Sequence, residues 1–198
     1  MTSNICKIRN GIKDLSVILN ESEKIAEYNG FNAKQALHLR LICEEIDGML
    51  PNIINDYDGD FWIEYNDGVC KVNLSIVIPE LNKTKKEELI NVAKNKKNAA
   101  VVGVVGKIRN SIENFFLNDE HVGVYGPSSE YFDLSTGSYV GLDFSYLWTL
   151  NQYKDDVKVS QKEEAWDELE KSIIANLADD IIVGVKGKKA NIVIIKNI

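Results

Sequence analysis

The sequence predicts an α+β protein, a two-layer α/β sandwich with a mixed, mostly antiparallel sheet and helices packed on one of its faces. Three observations carry that expectation. The longest periodic stretch, Ala33 to Asn55, repeats apolar residues at Leu39, Ile42, Ile46, Met49 and Ile53, in alternating steps of three and four that stack on one side of an α-helix. Phe61 to Tyr65 and Cys70 to Pro79 read as two strands joined by Asn66-Asp67-Gly68, whose Asp-Gly step suits a tight hairpin. The chain then closes with an amphipathic helix over Gln161 to Ala178 and a hairpin of Asp180–Lys186 and Asn191–Lys196 around Gly187-Lys188-Lys189. Helices beside neighbouring paired strands place the helices on one side of a sheet.

Composition narrows the function classes. With 198 residues and no long Gly/Ser/Pro linker, one domain spanning 1–198 is expected. A hydrophobic share of 44% against 27% charged residues is that of a soluble globular chain. The net charge of −7 argues against sequence-independent nucleic-acid binding, which needs a basic footprint to displace counterions from phosphates. The start of the chain has no apolar signal core, and the longest apolar run, Ala99 to Gly106, is too short to cross a bilayer. Cys6, Cys43 and Cys70 are odd in number and lack metal-ligand spacing, which predicts reduced thiols and a cytoplasmic protein, with Cys43 as buried packing.

In chain order, a short leading strand is expected over Ile5 to Arg9 and a helix over Asp14 to Tyr28, stopped by Asn29-Gly30. Asn32 is the N-cap candidate for the long helix, because its side chain can accept from the free amides of the first turn. Pro51 removes a hydrogen bond and clashes with the preceding turn, so the end of that helix is expected to be kinked or a separate piece. Asp56 to Asp60 reads as an acidic turn. Val72, Leu74, Ile76 and Ile78 alternate with Lys71, Asn73 and Ser75, a strand with one apolar face. A short surface helix is expected at Lys85 to Lys94. Another helix is expected within Val101 to Leu117, where Val104, Val105, Ile108, Ile112 and Phe115 share a face. Short strands around Val122 to Tyr125 and Ser138 to Leu142 and a helix over Phe144 to Tyr153 complete the middle. His121, a lone histidine, is read as structural or surface.

The chemistry gathers at Glu45. At one hundred degrees per residue it falls on the margin of the apolar stripe, in line with His38, Leu41, Gly48 and Asn52, while Glu44 points elsewhere. A half-desolvated carboxylate can serve as a base or recruit a metal. A surface glutamate beside a core face has the same signature. Gly103-Val-Val-Gly106-Lys107 is not a Walker loop, since that motif needs four residues between its glycines and Ser or Thr after the lysine. The two glycines either open a helix whose free amides meet phosphate or allow close helix packing.

The run Leu39 to Ile54, LRLICEEIDGMLPNII, resembles the first box of the gyrase, chaperone and histidine-kinase type ATPase superfamily, especially its small anti-sigma-factor serine kinases. Trp166 to Ile198 resembles that superfamily's last helix and two terminal strands. The resemblance implies ATP and magnesium as cofactors, with Glu45 activating water or a hydroxyl. The family's magnesium-holding Asn lies four residues after that Glu. Here that residue is Met49, whose thioether does not replace an amide oxygen for a hard cation, and Asn52, one turn on, is the substitute. The family's Asp-x-Gly-x-Gly box after the next strands is replaced by Pro79-Glu80-Leu81-Asn82, which leaves Glu80 as the adenine-side candidate. Gly103, Gly106 and Lys107 stand where a second glycine box would meet phosphate.

Two readings follow from the resemblance. One is a regulatory protein with a degenerate ATPase-like fold and weak or lost ATP binding, acting on a protein partner such as a sigma or anti-anti-sigma-like factor. The other is an active ATP-dependent anti-sigma-type kinase or ATPase with Glu45 as general base. A third, an unrelated α+β interaction domain, would be favoured if the terminal hairpin did not join the sheet of Phe61 to Pro79.

Overall fold

The computed structural model describes residues 1–9, 15–54, 57–77, 103–117, 145–160, 163–186 and 188–198. The expected Lys85–Lys94 helix, the strands near 122–125 and 138–142, His121 and Glu80 lie outside them. A leading strand β1 (Cys6–Arg9) is followed by helices α1 (Leu15–Tyr28) and α2 (Ala33–Ile53) and the strands β2 (Asp58–Asn66) and β3 (Val69–Val77). Then come α3 (Gly103–Leu117), β4 (Ser145–Thr149), α4 (Leu150–Ser160), α5 (Glu163–Lys171), α6 (Ile173–Leu177), β5 (Asp180–Lys186) and β6 (Lys189–Asn197).

The six strands among the described residues form one sheet in the order β1-β2-β3-β6-β5-β4, with every adjacent pair antiparallel. Asp67 and Gly68 turn the first hairpin at φ 48° and 83°, the left-handed pair that matches strand twist in a two-residue loop. The closing hairpin joins the same sheet, because β6 pairs with β3 from Val69↔Asn197 to Val77↔Lys189. That removes the condition that would have favoured an unrelated interaction domain.

Period-two alternation decides which face of the sheet is covered. Phe61 and Ile63 on β2, Val72 and Leu74 on β3, and Ile192 and Ile194 on β6 share one face. They bury against Ile18 and Ile25 of α1, Leu39, Ile42 and Ile46 of α2, and Ile108 of α3 in one continuous core. This is the two-layer α+β sandwich expected from the sequence. Asn32 caps α2 as expected: its side-chain oxygen accepts from the amides of Lys34 and Gln35, each at 3.0 Å, and Gln35 Oε1 accepts from the Asn32 amide at 2.8 Å.

The structure corrects several boundaries. Pro51 neither ends α2 nor detaches its last turn; the helix runs to Ile53 and the Ile54 amide donates to the Leu50 carbonyl at 3.0 Å. A proline so near the C-terminus removes a single hydrogen bond, and the burial of Leu50 and Ile53 outweighs it. Asp58 to Asp60, expected in an acidic turn, instead belong to β2 and pair with β1 and β3. Residues 144–153 are not one helix: Ser145–Thr149 pair with β5 across a register shift, and helix begins only at Leu150. The apolar spacing of Tyr146, Leu150 and Tyr153 fits a helix, but the open edge of β5 offers hydrogen bonds that local periodicity does not reveal. The helix expected over Gln161 to Ala178 breaks at Ser172, whose Oγ accepts from the Ala175 amide at 3.3 Å and starts α6. The break turns Ile174 and Ala175 inward and leaves Trp166 and Ile173 exposed. Among the described residues no helix is long and apolar enough to cross a membrane.

Candidate functional site

Between α2 and α3 lies a groove of about 460 Å³, within the range of small-ligand sites. From α2 it is lined by Glu44, Glu45, Gly48, Met49 and Asn52, and from α3 by Val105, Gly106 and Arg109. Helical spacing explains the selection. Glu45, Gly48 or Met49, and Asn52 fall one turn apart, so the edge that flanks the buried stripe of α2 becomes the wall of the groove. Opposite them, buried Gly106 presents no side chain, and Arg109 follows one turn later.

The two carboxylates differ. Glu44 Oε1 takes the Arg40 Nε at 3.0 Å, and Arg40 Nη1 also reaches Glu23 Oε1 of α1 at 2.5 Å, so Glu44 belongs to a clamp between the first two helices. Glu45 is half-buried and makes no ion pair among the described residues. Asn52 Nδ2 donates to the Gly48 carbonyl at 3.2 Å, which commits the nitrogen and leaves Oδ1 as the atom that can meet a cation. Met49 is buried at 4% exposure, a thioether standing where the resemblance puts a magnesium-binding amide. For ATP and magnesium the fit is therefore partial: the groove has oxygens at Glu45 and Asn52, but Met49 on the same wall offers only a thioether.

Three of the residues singled out from the sequence, Glu45, Asn52 and Gly106, thus line one groove. Gly103 and Lys107 do not line it. The Gly103 amide, at φ 83°, donates to Glu168 Oε2 of α5 at 2.9 Å, and Lys107 Nζ stands 5.5 Å from the ring centroid of Tyr153 on α4. Tyr153 also packs on Trp148, centroids 5.9 Å apart. Burial raises the Tyr153 pKa, and the Glu168 charge raises it further. Sequence reasoning missed Arg109, for which the step of three from Gly106 was the available signal, and Glu168, for which local sequence holds none.

Fold and groove together define a class, a two-layer α+β protein with a half-polar cleft between the long α2 and the glycine-led α3. No protein family, curated protein or solved structure matches this chain.

Proposed function

We propose that this chain is a cytoplasmic regulatory protein on a degenerate histidine-kinase-like ATPase scaffold, acting through a protein partner, with ATP binding weakened or lost. The observation that carries the reading is Met49, buried in the wall of the groove four residues after Glu45. A site built for a nucleotide-bound magnesium needs a hard oxygen there. Supporting it, the Gly103 amide is already taken by Glu168, and Lys107 is stacked on Tyr153 rather than lining the groove. The scaffold half of the reading rests on the closing hairpin joining the first hairpin in one sheet beneath α2. The partner class is a sigma or anti-anti-sigma-like factor.

A thermal melt with and without millimolar Mg-ATP tests the nucleotide half. Ligand at its own Kd adds about 0.4 kcal/mol, and at a hundred times Kd about 2.7 kcal/mol. With roughly 2–4 °C per kcal/mol for a domain of this size, weak binding moves the midpoint by less than about 2 °C and full binding by about 5–11 °C. The larger shift would overturn the reading. Size-exclusion chromatography against a panel of sigma and anti-anti-sigma factors from the same organism tests the partner half. A stoichiometric complex is expected, and its absence across the panel refutes the partner class.

One observation favours a second reading, an active ATP-dependent anti-sigma-type kinase or ATPase: Glu45, Asn52 and Gly106 do share a groove. In it Glu45 is the general base and Asn52 holds magnesium. ATP turnover abolished by Glu45→Gln would establish it.

A further inference from the structure

We propose that the α2–α3 groove is a seat for an arginine side chain of the protein partner, kept open by Gly48 and closed on the guanidinium by Glu45. The inference rests on the partner-binding reading above and names the chemistry by which the partner is held.

Glycine is, after proline, the residue that least favours a helix interior, because it loses the most backbone freedom on folding. Gly48 nevertheless stands well inside the 21-residue α2, exposed, on the wall of the groove. Packing does not ask for it. A Cβ built there meets nothing within 4 Å, and the backbone at Gly48 is not in the left-handed region, so an ordinary helix former would fit. A local rule broken with no gain in packing points to function at that position. What a side chain at Gly48 would take away is the space between Glu45 and Asn52, one turn to either side on the same wall.

The chemistry of the lining selects a cation. Glu45 is half-buried and takes no hydrogen bond or ion pair among the described residues. A carboxylate partly withdrawn from water gains most from a positive group that also donates hydrogen bonds to it. Asn52 commits its nitrogen to the Gly48 carbonyl at 3.2 Å and keeps Oδ1 as an acceptor. Glu44 adds a second carboxylate, so the acids of the lining outnumber its one basic residue, Arg109. The same set opposes an anion. Met49 and Val105 supply apolar wall beside these acceptors. That combination fits arginine, whose methylene stem packs on apolar groups while its planar fork presents two donors to one carboxylate. The volume of about 460 Å³ exceeds that of one side chain and admits the flanking residues of a partner segment.

The test is a heteronuclear NMR titration of N-acetyl-arginine amide into the full chain, with N-acetyl-citrulline amide, its uncharged isostere, as the control. Saturable amide shifts are expected at Glu45, Gly48, Asn52, Val105 and Gly106, with the citrulline compound about tenfold weaker or more, the loss of a charge-assisted hydrogen-bonded pair. Glu45→Gln should weaken the arginine compound by a similar factor. Gly48→Leu should abolish its binding while leaving the melting midpoint unchanged or raising it. Asp155→Asn, which alters an exposed acid on α4, should bind as wild type and so exclude general attraction to an acidic surface. Equal binding of the two compounds, undiminished binding by Glu45→Gln or by folded Gly48→Leu, or no shifts at the groove in wild type overturns the inference. So does tighter binding of L-arginine than of its blocked amide, which would identify a free amino acid in place of a partner's side chain. The reading beneath it fails separately: a large Mg-ATP shift refutes weakened nucleotide binding and an empty panel refutes the partner class, and neither alters the comparison of arginine with citrulline.

Discussion

Replacing Glu21 with Gln tests how the first strand is fastened to the helical layer. Glu21 lies on α1, 5% exposed, and its carboxylate is the acceptor for the segment leading into β1. Oε2 accepts from the Asn4 amide at 3.0 Å, both oxygens lie 3.2 Å from Asn4 Nδ2, and Oε1 takes Lys24 Nζ at 2.7 Å. Burial by itself pushes the Glu21 pKa up, but the hydrogen bonds from Lys24 and Asn4 and the Lys24 charge outweigh it and hold the carboxyl below its ordinary value. Gln keeps one carbonyl acceptor and loses the charge. Hydrogen bonds to a charged group contribute about 1.5–3 kcal/mol, while the pair with half-exposed Lys24 adds under about 1 kcal/mol, so a loss of about 2 kcal/mol is expected at neutral pH. For a domain of this size that lowers the melting midpoint by about 4–8 °C. The sign with pH follows from the depressed pKa. The contribution is fully present above the unfolded value near 4.5 and is lost as pH falls through the lower folded value. Melts of both proteins from neutral to acid should therefore show a constant gap that closes in acid. Equal midpoints at pH 7, or a gap that widens on acidification, would refute this account.

The remaining predictions concern the core, the thiols and the groove. Ile46→Ala removes a fully buried side chain where α2 meets the sheet and should cost about 2–5 kcal/mol in urea unfolding; a loss below about 1 kcal/mol would mean that the packing of α2 is wrong. All three cysteines are buried and outside any disulfide among the described residues, and burial pushes the Cys70 thiol up to about 12 and the Cys43 thiol higher still. A thiol reagent at mildly alkaline pH should therefore label none of them until the chain unfolds, and fast labelling of native protein would contradict that burial. Glu45→Gln and Asn52→Ala, on the rim of the groove, should each change stability by no more than about 0.5 kcal/mol; a larger loss in thermal melts would assign them to holding α2 in place.

The sequence was most legible where the pattern is local. Leu39, Ile42 and Ile46 announced the inner face of α2, Asn32 its cap, and Asp67-Gly68 the first hairpin, because helical period, free first-turn amides and left-handed turn geometry are each decided within a few residues. Legibility failed where a distant partner decides. Ser145–Thr149 became a strand because β5 had an open edge, and the C-terminal helix broke at Ser172 because the break buries Ile174 and Ala175. Neither outcome is written in the residues' own spacing.

The candidate site divides along the same line, and the division bears on function. Glu45, Asn52 and Gly106 reach one groove because helical spacing on α2 and α3 already aligned them, so their convergence follows from two amphipathic helices and does not by itself require a ligand. What local pattern could not supply is the contact from Glu168 to Gly103 and the placement of Tyr153 beneath Lys107, which depend on α4 and α5 folding back on the start of α3. Those contacts consume the amide and redirect the lysine on which phosphate binding would have drawn. With Met49 in the wall of the cleft, they are the contacts on which the proposal of weakened nucleotide binding rests. The Glu168 carboxylate on the Gly103 amide and the Met49 thioether in the groove wall are the two features behind the proposal of a regulatory protein over a kinase.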